Sequence, residues 1–125
     1  MASSLIEVLK KFAEKLPGCL HTSIVDRSSG LALAAISEGD PLRGAGADAF
    51  HSDLYRLSGD LIESGGPEAA GIVLTSREGT FVSQPLGDSG FVWLVITERA
   101  TTVGFTQAIM RKWHEEIQEG LQALV

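Results

Sequence analysis

Apolar residues recur at three- and four-residue spacing in three stretches of the chain, and between those stretches they gather in short, β-branched runs. Leu5, Val8, Leu9, Phe12 and Leu16 form the first stripe, with Lys10, Lys11, Glu14 and Lys15 mostly off it, which predicts an amphipathic helix. Its start carries Ser4-Leu5-Ile6-Glu7, a capping box in which serine and glutamate each satisfy a backbone N–H left free at a helix start. Pro17-Gly18 ends it. Cys19–Val25 and Leu31–Ile36 then read as strands, joined by the turn residues Asp26-Arg27-Ser28-Ser29-Gly30, and so as a hairpin. A polar, glycine-rich loop, Ser37 to Gly46, leads to a second stripe of Phe50, Leu54, Leu57 and Leu61, stopped by Ser64-Gly65-Gly66-Pro67. Three further runs, Ala69–Thr75, Thr80–Leu86 and Gly90–Thr97, are separated by connections too short for parallel crossovers, so they should pair antiparallel. Thr101 or Thr102 caps a last helix, with Phe105, Ile109, Trp113, Ile117 and Leu121 near one face. Gly104 inside it costs about 1 kcal/mol relative to alanine and is expected to let the helix approach the sheet closely.

The predicted order is helix, strand, strand, helix, strand, strand, strand, helix. An antiparallel sheet of five strands cannot leave both faces apolar in water, and three amphipathic helices are available to cover it, so the fold class is α+β, one domain over residues 1–125. A chain of 125 residues, 44% hydrophobic, buries roughly two-thirds of its unfolded surface and needs no staple. The single cysteine, Cys19, allows no intramolecular disulfide. Sixteen acidic against ten basic residues give a net charge of −6, which disfavours nucleic acid and anionic membranes as partners. No apolar run reaches the ~18–20 residues of a membrane span, and the start reads as a helix rather than a signal peptide; a cytoplasmic location is the expectation.

Candidate chemistry is sparse. Gly87-Asp88-Ser89-Gly90 matches the string around the nucleophile of chymotrypsin-like proteases, with His21 or His51 as a conceivable base, but that mechanism needs two packed barrels and the string is good hairpin-loop chemistry. Gly44-Ala45-Gly46-Ala47-Asp48-Ala49 fits the dinucleotide fingerprint G-x-G-x-x-A but does not directly follow a strand of a parallel unit. His51 with Asp53, and His114 with Glu115 and Glu116, lack the spacing of a metal helix. Cys19 reads as a small core residue, and Trp93 and Trp113 as core packing. No catalytic residue, metal or cofactor is expected.

Two features favour binding. Ala69–Thr75 is apolar on both faces and uncharged; on a sheet edge it lacks the lysines and prolines that deter pairing and should be covered by another chain. The second helix adds Ala47, His51, Tyr55 and Ile62 beside its stripe, so it is less cleanly two-sided than a surface helix.

Leu16-Pro17-Gly18-Cys19, Val25-Asp26-Arg27-Ser28-Ser29-Gly30-Leu31 and Val103-Gly104-Phe105, placed within this eight-element order, make the chain resemble the roadblock/dynein light chain superfamily over almost its whole length. The resemblance implies a sheet order of 2-1-5-4-3, with the second helix on one face and the first and third on the other. It implies a dimer through the third strand and second helix, here Ile72, Val73, Leu74, Leu54 and Tyr55. It also implies regulation of a Ras-like small GTPase, or a scaffold role in a GTPase-linked signalling, motility or motor complex. MglB-like members act on the partner without an arginine finger, so no catalytic residue of their own is required. The partner contacts would be Phe50, His51, Leu54 and Tyr55; Arg43 could reach a phosphate, but with its flanking glycines it reads as a mobile solvated residue. The alternatives are a PAS- or GAF-type small-molecule sensor, which would need a cavity under its sheet, and a scaffold with no GTPase partner.

Overall fold

The structure, a computed structural model, describes residues 4–39, 44, 46–55, 71–77 and 79–124. Helix α1 (Leu5–Lys15) begins as its capping box requires, with Ser4 Oγ accepting the Glu7 N–H at 3.3 Å. Gly18, at φ +78°, turns the chain out of it, and a side chain there would run into the Thr101 hydroxyl.

Strands β1 (Cys19–Asp26) and β2 (Ala32–Ser37) form the first hairpin. Its turn is closed by Asp26, whose Oδ1 accepts from the Ser28 N–H at 2.9 Å and the Ser28 hydroxyl at 2.8 Å, and whose carbonyl accepts from Gly30. The Ser28 backbone bond, then the hydroxyl bond, hold the Asp26 carboxyl below the ordinary aspartate range. Helix α2 covers residues 46–55, with Gly44 already helical. Strands β3 (Ile72–Thr75), β4 (Thr80–Pro85) and β5 (Phe91–Thr97) follow, then helix α3 (Val103–Gln122), capped by Thr102 Oγ1 on the Phe105 N–H. The neighbouring Thr101 hydroxyl serves elsewhere, donating to the Pro17 carbonyl at 2.8 Å. Leu57 and Leu61, the Ser64–Pro67 stop, Ala69-Ala70 and Arg43 lie outside the described residues.

All five strands are antiparallel, in the order β2-β1-β5-β4-β3, as expected. Register sorts their side chains. Ile24 lies beside Ala34 and Trp93, and Trp93 beside Gln84; one residue on, Ser23 lies beside Ala35 and Leu94, and Leu94 beside Ser83. The first set faces α1 and α3 over a core built from Phe12, Ile24, Val82, Trp93, Val95, Met110 and Ile117. Trp93 is fully buried, meets Phe12 edge-on at 4.9 Å, and donates its indole N–H to Thr22 Oγ1 at 2.9 Å. The second set faces α2.

Two details of the helices differ from expectation. The buried face of α3 is Thr106, Met110, Ile117, Gly120 and Leu121, while Phe105 is exposed. Gly104 faces open space; the close approach is made by Gly120, where an added Cβ would stand 3.1 Å from the Leu5 Cα. Glycine is needed where two helices meet, not where the helix starts. Among the described residues no helix is long and apolar enough to cross a membrane.

Candidate functional site: helix α2 and the β3 edge

The face of α2 turned to the sheet is polar. Gly44, Asp48, His51, Ser52 and Tyr55 are buried, whereas Phe50 is 50% exposed and Leu54 half-buried. The Phe50–Leu54 stripe, expected to be core, therefore does not supply the helix's buried face. Hydrogen bonds replace apolar packing beneath the helix. Asp48 Oδ1 accepts from the Ser23 hydroxyl at 2.6 Å and lies 3.0 Å from His21 Nε2. The Ser52 hydroxyl donates to the Arg27 carbonyl at 2.6 Å. Ser83 Oγ lies 3.1 Å from His51 Nδ1 and 3.2 Å from the Tyr55 hydroxyl.

Burial pushes the Tyr55 phenol above its ordinary range, against the Ser83 bond and the Arg27 charge; that guanidinium stands 5.8 Å from the ring centre. The Ile72 backbone amide near the Tyr55 hydroxyl favours its phenolate slightly. Burial pushes His51 down, against the pull of Asp48. His51 stacks on Phe81, and its Nε2 has no hydrogen-bond partner among the described residues.

Among the described residues strand β3 pairs only with β4 and forms an edge of the sheet. Val73 is 43% exposed, Ile72 and Leu74 are half-buried, and the strand has neither charge nor proline. The structure thus brings Phe50, Leu54, Ile72, Val73 and Leu74 to the α2 and β3 side of the protomer. It sets His51 and Tyr55 beneath, inside the fold.

No family model and no curated protein matches the sequence. Solved structures do. The Roadblock/LC7 domain from Streptomyces avermitilis superposes with a TM-score of 0.79 at 18% identity, covering 96% of this chain and 99% of that one. The chain has the roadblock fold. Two MglB structures share it: the gliding protein MglB from Thermus thermophilus, with a TM-score of 0.77 at 14% identity over 95% of this chain and 89% of that one, and an MglB with a tetrameric arrangement, 0.79 at 13% over 97% and 90%.

Within this roadblock fold the other sequence candidates fall away from α2. Ser89 is engaged in the β4–β5 turn, donating to the Leu86 carbonyl at 2.6 Å and accepting the Phe91 N–H at 3.2 Å. His114 Nδ1 accepts from Gln84 Nε2 at 3.3 Å. The Cys19 thiol is pushed up to about 11, chiefly by burial, and is a poor nucleophile. Among the described residues no group of three His, Cys, Asp or Glu side chains is placed to hold a metal ion. Sequence reasoning does not single out Asp48, Ser83 and Ser23: their partners lie 25 or more positions away, and spacing along the chain carries no trace of that.

Proposed function

We propose that two copies of this chain pair isologously through β3 and α2, and that the dimer binds a Ras-like small GTPase and regulates its GTP hydrolysis in the cytoplasm. The observation that carries this reading is the uncharged β3 edge, with exposed Val73, together with a helix α2 on which Phe50 is 50% exposed and Leu54 half-buried. An edge of this kind is completed by a second edge, and a twofold axis brings the same strand of a second copy against it, giving a continuous ten-stranded sheet. The Tyr55 hydroxyl lies 3.2 Å from Ser83 Oγ on β4, the strand that β3 pairs with, which ties α2 to this end of the sheet. The roadblock fold supports the reading, as does an MglB neighbour described as having a tetrameric arrangement. In this reading the chain presents a surface to the GTPase and adds no group to the phosphate chemistry.

Light scattering on the eluting protein should give a dimer mass at micromolar concentration, and Val73→Lys, which places a charge on the edge, should give a monomer. Hydrolysis of GTP by the partner GTPase should change on adding the wild-type chain and not the variant. A wild-type monomer removes the dimer; no binding and no change in hydrolysis removes the GTPase.

A further inference from the structure

The polar layer under α2 ends in a cavity of about 700 Å³, between Gly44, Ala47 and Phe50 of α2 and the adjoining ends of β1, β2, β4 and β5. That volume is ordinary for a small-molecule site. Leu20, Phe50, Phe81 and Ile96 supply apolar wall, and His21, Ser37 and Glu38 supply polar wall.

His21 uses both ring nitrogens. Nε2 is 3.0 Å from Asp48 Oδ1, and Nδ1 is 2.5 Å from Ser37 Oγ. An ionised Asp48 only accepts, so Nε2 of the neutral ring carries the hydrogen, and Nδ1 is left to take the proton of the Ser37 hydroxyl. Asp48 is buried and held in turn by Ser23. Relative to chymotrypsin-like enzymes the ring is turned over, Nδ1 facing the hydroxyl, but the roles follow from geometry rather than from atom label. Gly44 brings the start of α2 against the same pair: a Cβ there would stand 2.5 Å from His21 Cε1 and 3.1 Å from Ser37 Oγ.

We propose that Ser37, His21 and Asp48 form a nucleophilic centre that opens into this cavity and transfers the acyl group of small neutral esters to water. Ser37 Oγ adds to the ester carbonyl carbon while its proton passes to His21 Nδ1. The tetrahedral adduct collapses, the carbon–alkoxide bond breaks, and the leaving alcohol takes the proton from Nδ1. Water then adds to the acyl-serine with its proton passing to the same nitrogen, and the acid departs as Ser37 recovers its hydrogen. Ser37 and His21 are the catalytic residues, and Asp48 is a positioning residue. The apolar wall selects the acyl chain, and Glu38 at the rim disfavours carboxylate-bearing esters.

The test uses the whole chain, p-nitrophenyl butyrate, and a fluorophosphonate that phosphonylates activated serines by displacing fluoride. Peptide mapping by mass spectrometry should place one adduct on Ser37. Ester hydrolysis above background should fall roughly 100-fold or more in Ser37→Ala, while Ser89→Ala keeps both label and rate. Asp48→Asn should slow both fluorophosphonate labelling of Ser37 and ester hydrolysis, and Asp48→Glu should restore part of both, with the circular dichroism spectrum unchanged. Absence of a Ser37 adduct on the folded wild-type chain overturns the proposal, whatever the variants do. So does hydrolysis that persists in a folded Ser37→Ala.

Discussion

The two faces of one sheet are held by different physics. Toward α1 and α3 the strands present Ile24, Val82, Trp93 and Val95 to an apolar layer, and the adhesion is area and packing. Toward α2 they present His21, Ser23 and Ser83, and the adhesion is a set of hydrogen bonds between groups that would each be costly to bury alone. An apolar layer loses stability with the area and volume removed, whereas a hydrogen-bonded layer loses it with each partner left unsatisfied, however few atoms are removed. The first face suits a scaffold. The second fixes one position of helix α2, on which Ala49, Phe50 and Asp53 are exposed.

The largest effect should come from the apolar face. Trp93→Ala removes a fully buried indole, its edge contact with Phe12 and its bond to Thr22, and should cost about 3–5 kcal/mol in urea unfolding. On the polar face, Ser83→Ala removes few atoms yet takes a partner from both His51 and Tyr55, and about 1–3 kcal/mol should be lost in the same measurement. If Ser83→Ala costs nothing, the contrast between the faces is wrong.

Acidification should sharpen the contrast further. Burial disfavours the charged form of His51, so the unfolded chain takes its proton first. Its contribution to stability is therefore intact above the ordinary histidine pKa of about 6.5 and declines as the pH falls through and below it, ending once the folded protein binds that proton too. Unfolding midpoints from pH 8 to pH 5 should fall less in His51→Gln than in the wild type, because the titrating ring is gone. The smallest change in stability belongs to the β3 edge. Val73→Thr, at a position 43% exposed, should cost no more than about 0.5 kcal/mol in unfolding, yet weaken self-association measured by sedimentation.

Much of the fold is legible in local chemistry. The Ser4 cap, the Asp26 turn with Gly30 at φ +74°, and the Gly87–Gly90 turn are each decided by a few neighbouring residues, and the structure repeats them. Sheet order follows from the family resemblance instead, since β1 meets β5 across some seventy residues. Helix α2 reads inside out for a definable reason. A hydrophobic stripe marks the buried side only where the core is apolar, and here Asp48, His51, Ser52 and Tyr55 are the buried set, satisfied by Ser23, Ser83 and the Arg27 carbonyl. The same remoteness hides the meeting of Ser37, His21 and Asp48, while the Gly-Asp-Ser-Gly string draws attention to Ser89.

The contact of Gly120 with Leu5 joins the first helix to the last. During synthesis α1 emerges early and its apolar stripe has no lasting cover until α3 has been made, because Met110, Ile117 and Leu121 supply that side of the core. The hairpin of β1 and β2 can form as it emerges, but the apolar layer closes only once α3 has been made. A nascent chain stalled before α3 exposes Leu5, Leu9 and Phe12 to whatever binds apolar helices, and release from that binder should coincide with the arrival of the last helix.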